Sequence, residues 1–229
     1  MQIRALIFDF DGTILDTETP EFEAWQAIYA RYGVELPLEI WTDSIGRGHD
    51  TVTFDPYTHL EALLGRAIDH AAVRQAKRAR FTQQLETEPV RPGVLAYLKE
   101  AQKRGLLLGV ASSSDRAWVA GHLERYDLLS FFNVIRCSDD VTRTKPDPEL
   151  YLTACTALGV APSEAIAIED SVNGLKAAQA AGLFAVATPN QITAYLPLAD
   201  YADLLIPSLS ELSLSELLTR AENRLIVSV

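Results

Sequence analysis

Two aspartates one residue apart, Asp9 and Asp11, follow directly on the apolar run Ala5-Leu6-Ile7-Phe8, and Gly12-Thr13 come next. A buried strand with this ending presents both carboxylates at its carboxyl end, where open α/β sheets bind their ligands. Phe10, between them, points to the other face by the two-residue period of a strand. Gly12 and Thr13 let the chain turn away sharply. Carboxylates this close repel each other unless a cation or a proton lies between them. The chemistry open to such a pattern is that of a metal site with an attacking aspartate. The same five residues also fit a surface β-turn, because Asp-Gly is common turn chemistry.

Three further segments carry polar groups at the ends of apolar runs or the starts of helices. The run 106–111 ends in Ser112-Ser113-Ser114. Lys145-Pro146-Asp147-Pro148 opens a helical stretch, and the run 165–168 ends in Glu169-Asp170-Ser171 with Gly174 shortly after. With Leu15-Asp16-Thr17-Glu18 behind the first aspartates, the set resembles the four signature motifs of the haloacid dehalogenase (HAD) superfamily, in their usual order. The resemblance covers nearly the whole chain and is closest to the branch of β-phosphoglucomutase and small-metabolite phosphatases.

That resemblance implies roles. Asp9 corresponds to the nucleophile, and a carboxylate attacking phosphorus splits one hard displacement into two. Asp11 corresponds to the general acid/base, which protonates the leaving alkoxide and later activates water. Ser112 corresponds to the hydroxyl that holds phosphate oxygens. Ser113 and Ser114 compete for that task, and one of them fits a cap on the following helix. Lys145 corresponds to the lysine that bridges the nucleophile and the phosphoryl group. The implied cofactor is Mg²⁺, which takes oxygen ligands, held by the Asp9 carboxylate, the Asp11 carbonyl and Asp170. Glu169 is either a direct ligand or one layer behind. As a pair, Glu169 and Asp170 also fit a helix start, where acidic side chains suit the dipole. Arg47, on the glycine-flanked loop Ile45-Gly46-Arg47-Gly48-His49, is a substrate-binding candidate or an exposed loop arginine. Glu21 is a second substrate-binding candidate.

The elements that must position these groups alternate from Pro92 onward. Apolar and polar patterning predicts helices at 93–104, 115–126, 147–158 and 172–181, and strands at 106–111, 133–137, 165–168, 184–187 and 204–206. Strands alternating with helices require a parallel sheet covered on both faces. The fold class is therefore α/β, a Rossmann-like parallel sheet. Residues 17–89 break the alternation, with helices predicted at 21–32, 38–45, 59–64 and 68–85 and no strand. This divides the chain into a core of 1–16 and 90–229 and an α-helical insert of 17–89, which the resemblance makes a cap domain over the site. The basic cluster Arg74, Lys77, Arg78 and Arg80 reads as a solvated helix face. The histidines, His49, His59, His70 and His122, lack ligand spacing.

Composition sets limits. The 229 residues, 48% hydrophobic, suffice for one large domain or a domain with an insert. No apolar stretch has the ~20 residues needed to span a membrane, and no secretory leader is visible. Cys137 and Cys155 read as reduced core residues, so a cytoplasmic protein is expected. The net charge of −11 argues against nucleic acid as a partner. The expected partner is a small phosphorylated metabolite, and a monomer is expected. The expected activity is Mg²⁺-dependent hydrolysis of a sugar phosphate or similar phosphomonoester through an aspartyl-phosphate. The alternative is a sugar-phosphate mutase; mutases similar to β-phosphoglucomutase usually carry a histidine where this chain has Glu21. The dehalogenase branch lacks the second aspartate, here Asp11.

Overall fold

The structure is a computed structural model and describes residues 2–42 and 54–227. Six strands form one parallel sheet: β1 (Ala5–Phe8), β2 (Leu107–Ala111), β3 (Val134–Arg136), β4 (Ala165–Glu169), β5 (Phe184–Ala187) and β6 (Leu204–Leu205). Their spatial order is β3-β2-β1-β4-β5-β6. β1 pairs with β2 on one side and β4 on the other, so the strand order reverses beside β1. That reversal opens a crevice at the carboxyl ends of the strands, where Asp9, Ser112 and Asp170 leave the sheet.

Alternation along each strand divides the core into two layers. Leu6 and Phe8 face one apolar cluster with Tyr97 and Leu98 of α5 (Val94–Lys103), Val119 and Leu123 of α6 (Arg116–Arg125), and Leu217 of α9 (Leu214–Val227). Ala5 and Ile7 face the other, with Leu150 and Tyr151 of α7 (Glu149–Leu158) and Leu175 and Ala178 of α8 (Val172–Ala181). Alanines at 165, 167, 185 and 187 line this second face. Their small side chains let α7 and α8 lie close on the sheet. Each fully buried large apolar side chain contributes about 1.5–3 kcal/mol to this packing.

Between β1 and α5 the described residues form four α-helices: α1 (Glu18–Arg31), α2 (Leu38–Thr42), α3 (Pro56–Leu64) and α4 (His70–Leu85). They share their own apolar cluster, built on Phe22, Trp25, Ile28, Tyr29, Trp41, Leu60 and Val73. Asp55 caps α3 by accepting from the Tyr57 N–H, and Asp69 caps α4 by accepting from the Ala71 and Ala72 N–H groups. These caps place the helix starts at Pro56 and His70, where apolar periodicity alone gives 59 and 68. The chain enters and leaves this unit side by side: Leu15 bridges Val90, and the Arg91 N–H donates to the Ile14 carbonyl at 2.9 Å. One core residue, Ile192 from the loop after β5, is buried within the helical unit's cluster.

Helix α9 has no counterpart among the elements expected from the sequence, and its start is nonetheless signalled. Ser213 and Glu216 cap each other reciprocally, the Glu216 carboxylate accepting from the Ser213 N–H and the Ser213 hydroxyl from the Glu216 N–H. Among the described residues, no helix is long and apolar enough to cross a membrane.

Candidate active site

Asp9 continues β1 by one bond, its N–H donating to the Ile168 carbonyl at 2.9 Å. This fixes its side chain at the crevice. Gly12 then takes φ +74°, and a Cβ there would lie 2.1 Å from Asp170 Oδ2. Only glycine lets the turn pass this close to the neighbouring strand end. Gly174 does the same for Glu169, since a Cβ would sit 1.9 Å from its Oε2. The first turn of α8 closes directly over that carboxylate.

Three buried carboxylates meet here. Asp9, Glu169 and Asp170 each offer a ligand atom, and these atoms lie within 4.8 Å of one another. Lys145 enters from the loop before α7. Its ammonium donates to Asp9 Oδ1 at 2.5 Å and pairs with Glu169 Oε1 at 2.6 Å, with its own side chain 4% exposed. Tyr151 donates to Glu169 Oε1 at 2.5 Å and Ser171 to Oε2 at 3.3 Å, so both oxygens of Glu169 have protein partners. Asn190 donates to Asp170 Oδ2 at 2.7 Å, while Oδ1 receives a long bond, 3.4 Å, from Thr13.

The electrostatics follow from burial. Burial raises Asp9 well above the usual carboxylate range; Lys145 opposes this, and Glu169, Asp170 and Asp11 add to it. Asp170 is raised for the same reason, burial first and then Glu169. Burial alone would lower Lys145, but the Asp9 and Glu169 charges more than offset it and push its pKa up. Three clustered carboxylates face the Lys145 ammonium and, at Asp170, the charge of Arg91, so ionising all three leaves an excess of negative charge. Hard oxygen donors with that charge fit a divalent cation such as Mg²⁺.

Among the described residues, Asp11 is held by four donors. Thr17 Oγ1 and Trp118 Nε1 donate to Oδ1 at 3.1 and 2.9 Å. Ser114 Oγ donates to Oδ2 at 2.6 Å and Ser112 Oγ at 3.4 Å. Neither Ser113 nor Ser114 caps α6; Asp115 does, accepting from the Trp118 N–H at 2.7 Å. The Ser113 hydroxyl is buried without a hydrogen-bond partner among the described residues.

Glu21 of α1 is bound by Lys77 of α4 at 2.6 and 2.9 Å. Lys77 is therefore turned inward, its side chain 19% exposed, and is not part of a solvated basic face. Arg47 lies outside the described residues. Glu18, half-buried at the start of α1, is raised to about 8 by burial and then by Asp11, Glu21, Asp16 and Asp9. Its folded pKa exceeds the ordinary glutamate value, so stability is lost as pH rises from that value through about 8. In chelator, Glu18→Gln is expected to melt above the native protein at pH 9 and no higher than it at pH 4. Equal melting differences at both pH values would exclude a titrating Glu18.

Arg91 ties the floor of the site together. Its guanidinium donates to the carbonyls of Gly12 at 2.5 Å, Thr188 at 3.0 Å and Pro189 at 2.5 Å. Sequence patterning did not mark Arg91, Trp118, Tyr151 or Asn190. Asn190 carries the clearest overlooked signal, because it follows closely on the apolar run 184–187, as Ser112 follows β2.

A family model of haloacid dehalogenase-like hydrolases matches residues 6–188, and the chain belongs to that family. It falls in the β-phosphoglucomutase-like phosphatase branch and is a phosphoric monoester hydrolase. It is 48% identical to the "Putative phosphatase YhcW" of Bacillus subtilis (strain 168), over 94% of this chain and 96% of the relative. With hexitol phosphatase B of Escherichia coli (strain K12) it shares 32% identity, over 95% of this chain and 97% of the relative. Among solved structures, CbbY from Rhodobacter sphaeroides in complex with phosphate superposes with a TM-score of 0.69 at 30% identity, covering 94% of this chain and 99% of that one.

Proposed function

We propose that the chain hydrolyses a sugar phosphate or a similar small phosphomonoester in two steps, using Mg²⁺. The observation that carries this reading is the meeting of Asp9, Asp11, Lys145 and Asp170 at one crevice, delivered by two strand ends and the loop before α7. Asp9 attacks phosphorus while the bond to the ester oxygen breaks. Asp11 gives its proton to the departing alkoxide. Asp11 then takes a proton from water as that water attacks the aspartyl-phosphate, which restores Asp9 and releases phosphate. Lys145 favours the ionised form of Asp9, against the effect of burial, and faces the charge that builds on the phosphoryl oxygens. Ser112 and the unpartnered hydroxyl of Ser113 offer donors to the same oxygens.

Asp9, Asp170 and the Asp11 carbonyl would hold the Mg²⁺, with Glu169 bracing Lys145 from behind. The bound cation supplies charge neutralisation for the carboxylates and the phosphoryl group. The sugar-phosphate class is supported by the hexitol phosphatase relative and by the carboxylates Glu18 and Glu21 on α1, which suit hydroxyl groups. Helices α1–α4, within 17–89, act as a cap that excludes water during the first step and turns on the paired connections at Leu15 and Val90.

Phosphate release from a panel of hexose, pentose and hexitol phosphates tests the substrate class; hydrolysis of nucleotides in preference to all of these would overturn it. Excess EDTA is expected to abolish activity, and adding Mg²⁺ to the stripped protein is expected to raise its melting temperature, since binding to the folded state alone stabilises it. Full activity in EDTA together with an unchanged melting curve would remove the metal from the reading.

A further inference from the structure

Among the described residues, Trp118 is the one aromatic donor on Asp11. Its indole N–H reaches Oδ1 at 2.9 Å from helix α6. The same ring stacks on Phe81 of α4, with centroids 6.0 Å apart and planes 19° from parallel. On the core side it contacts His122 at 4.1 Å, and the His122 ring nitrogen Nδ1 bonds the Trp118 carbonyl at 2.9 Å. Beyond Phe81 the contacts run on into the helical unit. The Lys77 ammonium lies 5.5 Å from the Phe81 ring and 5.9 Å from that of Trp25, and pairs with Glu21 of α1. A continuous line of contacts thus joins Asp11 to α4 and α1 through one side chain.

We propose that Trp118 is a positioning residue for Asp11, and that its stack on Phe81 makes the position of the Asp11 carboxylate depend on where helix α4 sits. This rests on the reading of Asp11 as the proton-transfer group. The hydroxyl donors on Asp11 can rotate to follow it, whereas an indole N–H is fixed to a rigid ring. A ring clamped between α4 and His122 therefore sets one direction for Oδ1. When α4 moves, the Phe81 face moves with it, and the N–H direction changes. Proton delivery to the leaving group is thereby matched to closure of the helices over the crevice.

Two substitutions separate the parts. Trp118→Phe keeps an aromatic ring against Phe81 and removes the N–H. Phe81→Leu keeps the N–H and removes the stacked ring. Both are compared with Asp11→Asn on two esters: the best sugar phosphate from the panel and p-nitrophenyl phosphate. Nitrophenolate leaves without a proton, whereas a sugar alkoxide needs one. The ratio kcat/KM covers events only up to the first irreversible step, so the later role of Asp11 toward water does not enter.

Trp118→Phe is expected to lower kcat/KM on the sugar phosphate about 10- to 100-fold and on p-nitrophenyl phosphate less than about 3-fold, a fraction of the full acid contribution. Phe81→Leu is expected to shift the same ratio in the same direction by a smaller factor. The double variant is expected to lose no more than Trp118→Phe alone, because the two act through one bond. If Asp11→Asn discriminates between the esters and Trp118→Phe reduces both equally or neither, the positioning role is wrong. If the two single effects multiply, the link to α4 is wrong. If Asp11→Asn itself fails to discriminate, the reading of Asp11 as the acid fails, and the role of Trp118 falls with it.

Discussion

Asp9→Asn is expected to reduce phosphate release by at least about a thousandfold while the protein keeps its fold, because the covalent route disappears with the nucleophile. The side chain sits at the carboxyl end of β1, 10% exposed, with Lys145 on Oδ1. Asparagine preserves the shape and removes the charge. Stability should move the other way from activity. The folded pKa of Asp9 is raised by burial, so the ionised form weakens the metal-free fold as pH rises above the ordinary aspartate range. The amide escapes that penalty, so the melting temperature of Asp9→Asn in chelator is expected to hold or rise at pH 8. Phosphate-release assays and thermal melts on the same preparation check both halves. Turnover within tenfold of the native enzyme would show that Asp9 is not the nucleophile.

Lys145→Met is expected to damage both properties at once. The ammonium is the partner of two carboxylates in a region without solvent: Asp9, and Glu169, which is 0% exposed. Methionine fills the space and leaves the charges uncompensated. Breaking a buried pair by removing one member costs about 3–5 kcal/mol, which for a chain of this size lowers the melting temperature by about 6–20 °C. The carboxylates can limit the loss by taking up protons. Asp9, raised by burial, takes up its proton first, so the deficit should shrink as pH is lowered through its folded pKa and be largest above neutrality. Activity is expected to fall at least about a hundredfold, since a preorganised charge facing the phosphoryl oxygens is gone. A melting temperature equal to that of the native protein at pH 8 would mean that Lys145 is not the partner these carboxylates require.

The parts of the site visible in the sequence are those that sit where an apolar run stops. Asp9, Ser112, Glu169 and Asp170 each follow such a run, and the geometry of a parallel sheet gathers strand ends without further information. The helix boundaries were legible to within a few residues where a cap residue marks them, as Gly159 and Gly182 do at the ends of α7 and α8. What remained hidden were single residues whose partners lie far away in the chain. Trp118 reads as one position on an amphipathic helix; its bond to Asp11 spans a separation of 107 residues. Lys77 belongs to a basic run, and only Glu21, a separation of 56 residues away, turns it inward. Arg91 lies at the junction of two elements, and its three carbonyl partners come from the turn after β1 and the loop after β5. No local pattern encodes these choices, because each is decided when separate elements dock. Helix α9 is a different case. Leu214, Leu217, Leu218 and Ala221 keep helical spacing behind the Ser213–Glu216 box, a complete local signal lying beyond the last strand of the alternating pattern.

Ile192 gives the helical unit a resting preference. It belongs to the core by sequence yet is 5% exposed and packed with the helices' own apolar cluster. Any arrangement that lifts α1–α4 from the loop after β5 must return this side chain to water. Complete exposure of one isoleucine costs about 1.5–3 kcal/mol, a factor of roughly ten to a hundred in population. That burial is one contribution favouring the joined arrangement before any ligand arrives. The loop that carries it also carries Asn190 on Asp170, two residues earlier, so one segment both packs into the helices and holds a strand-end carboxylate.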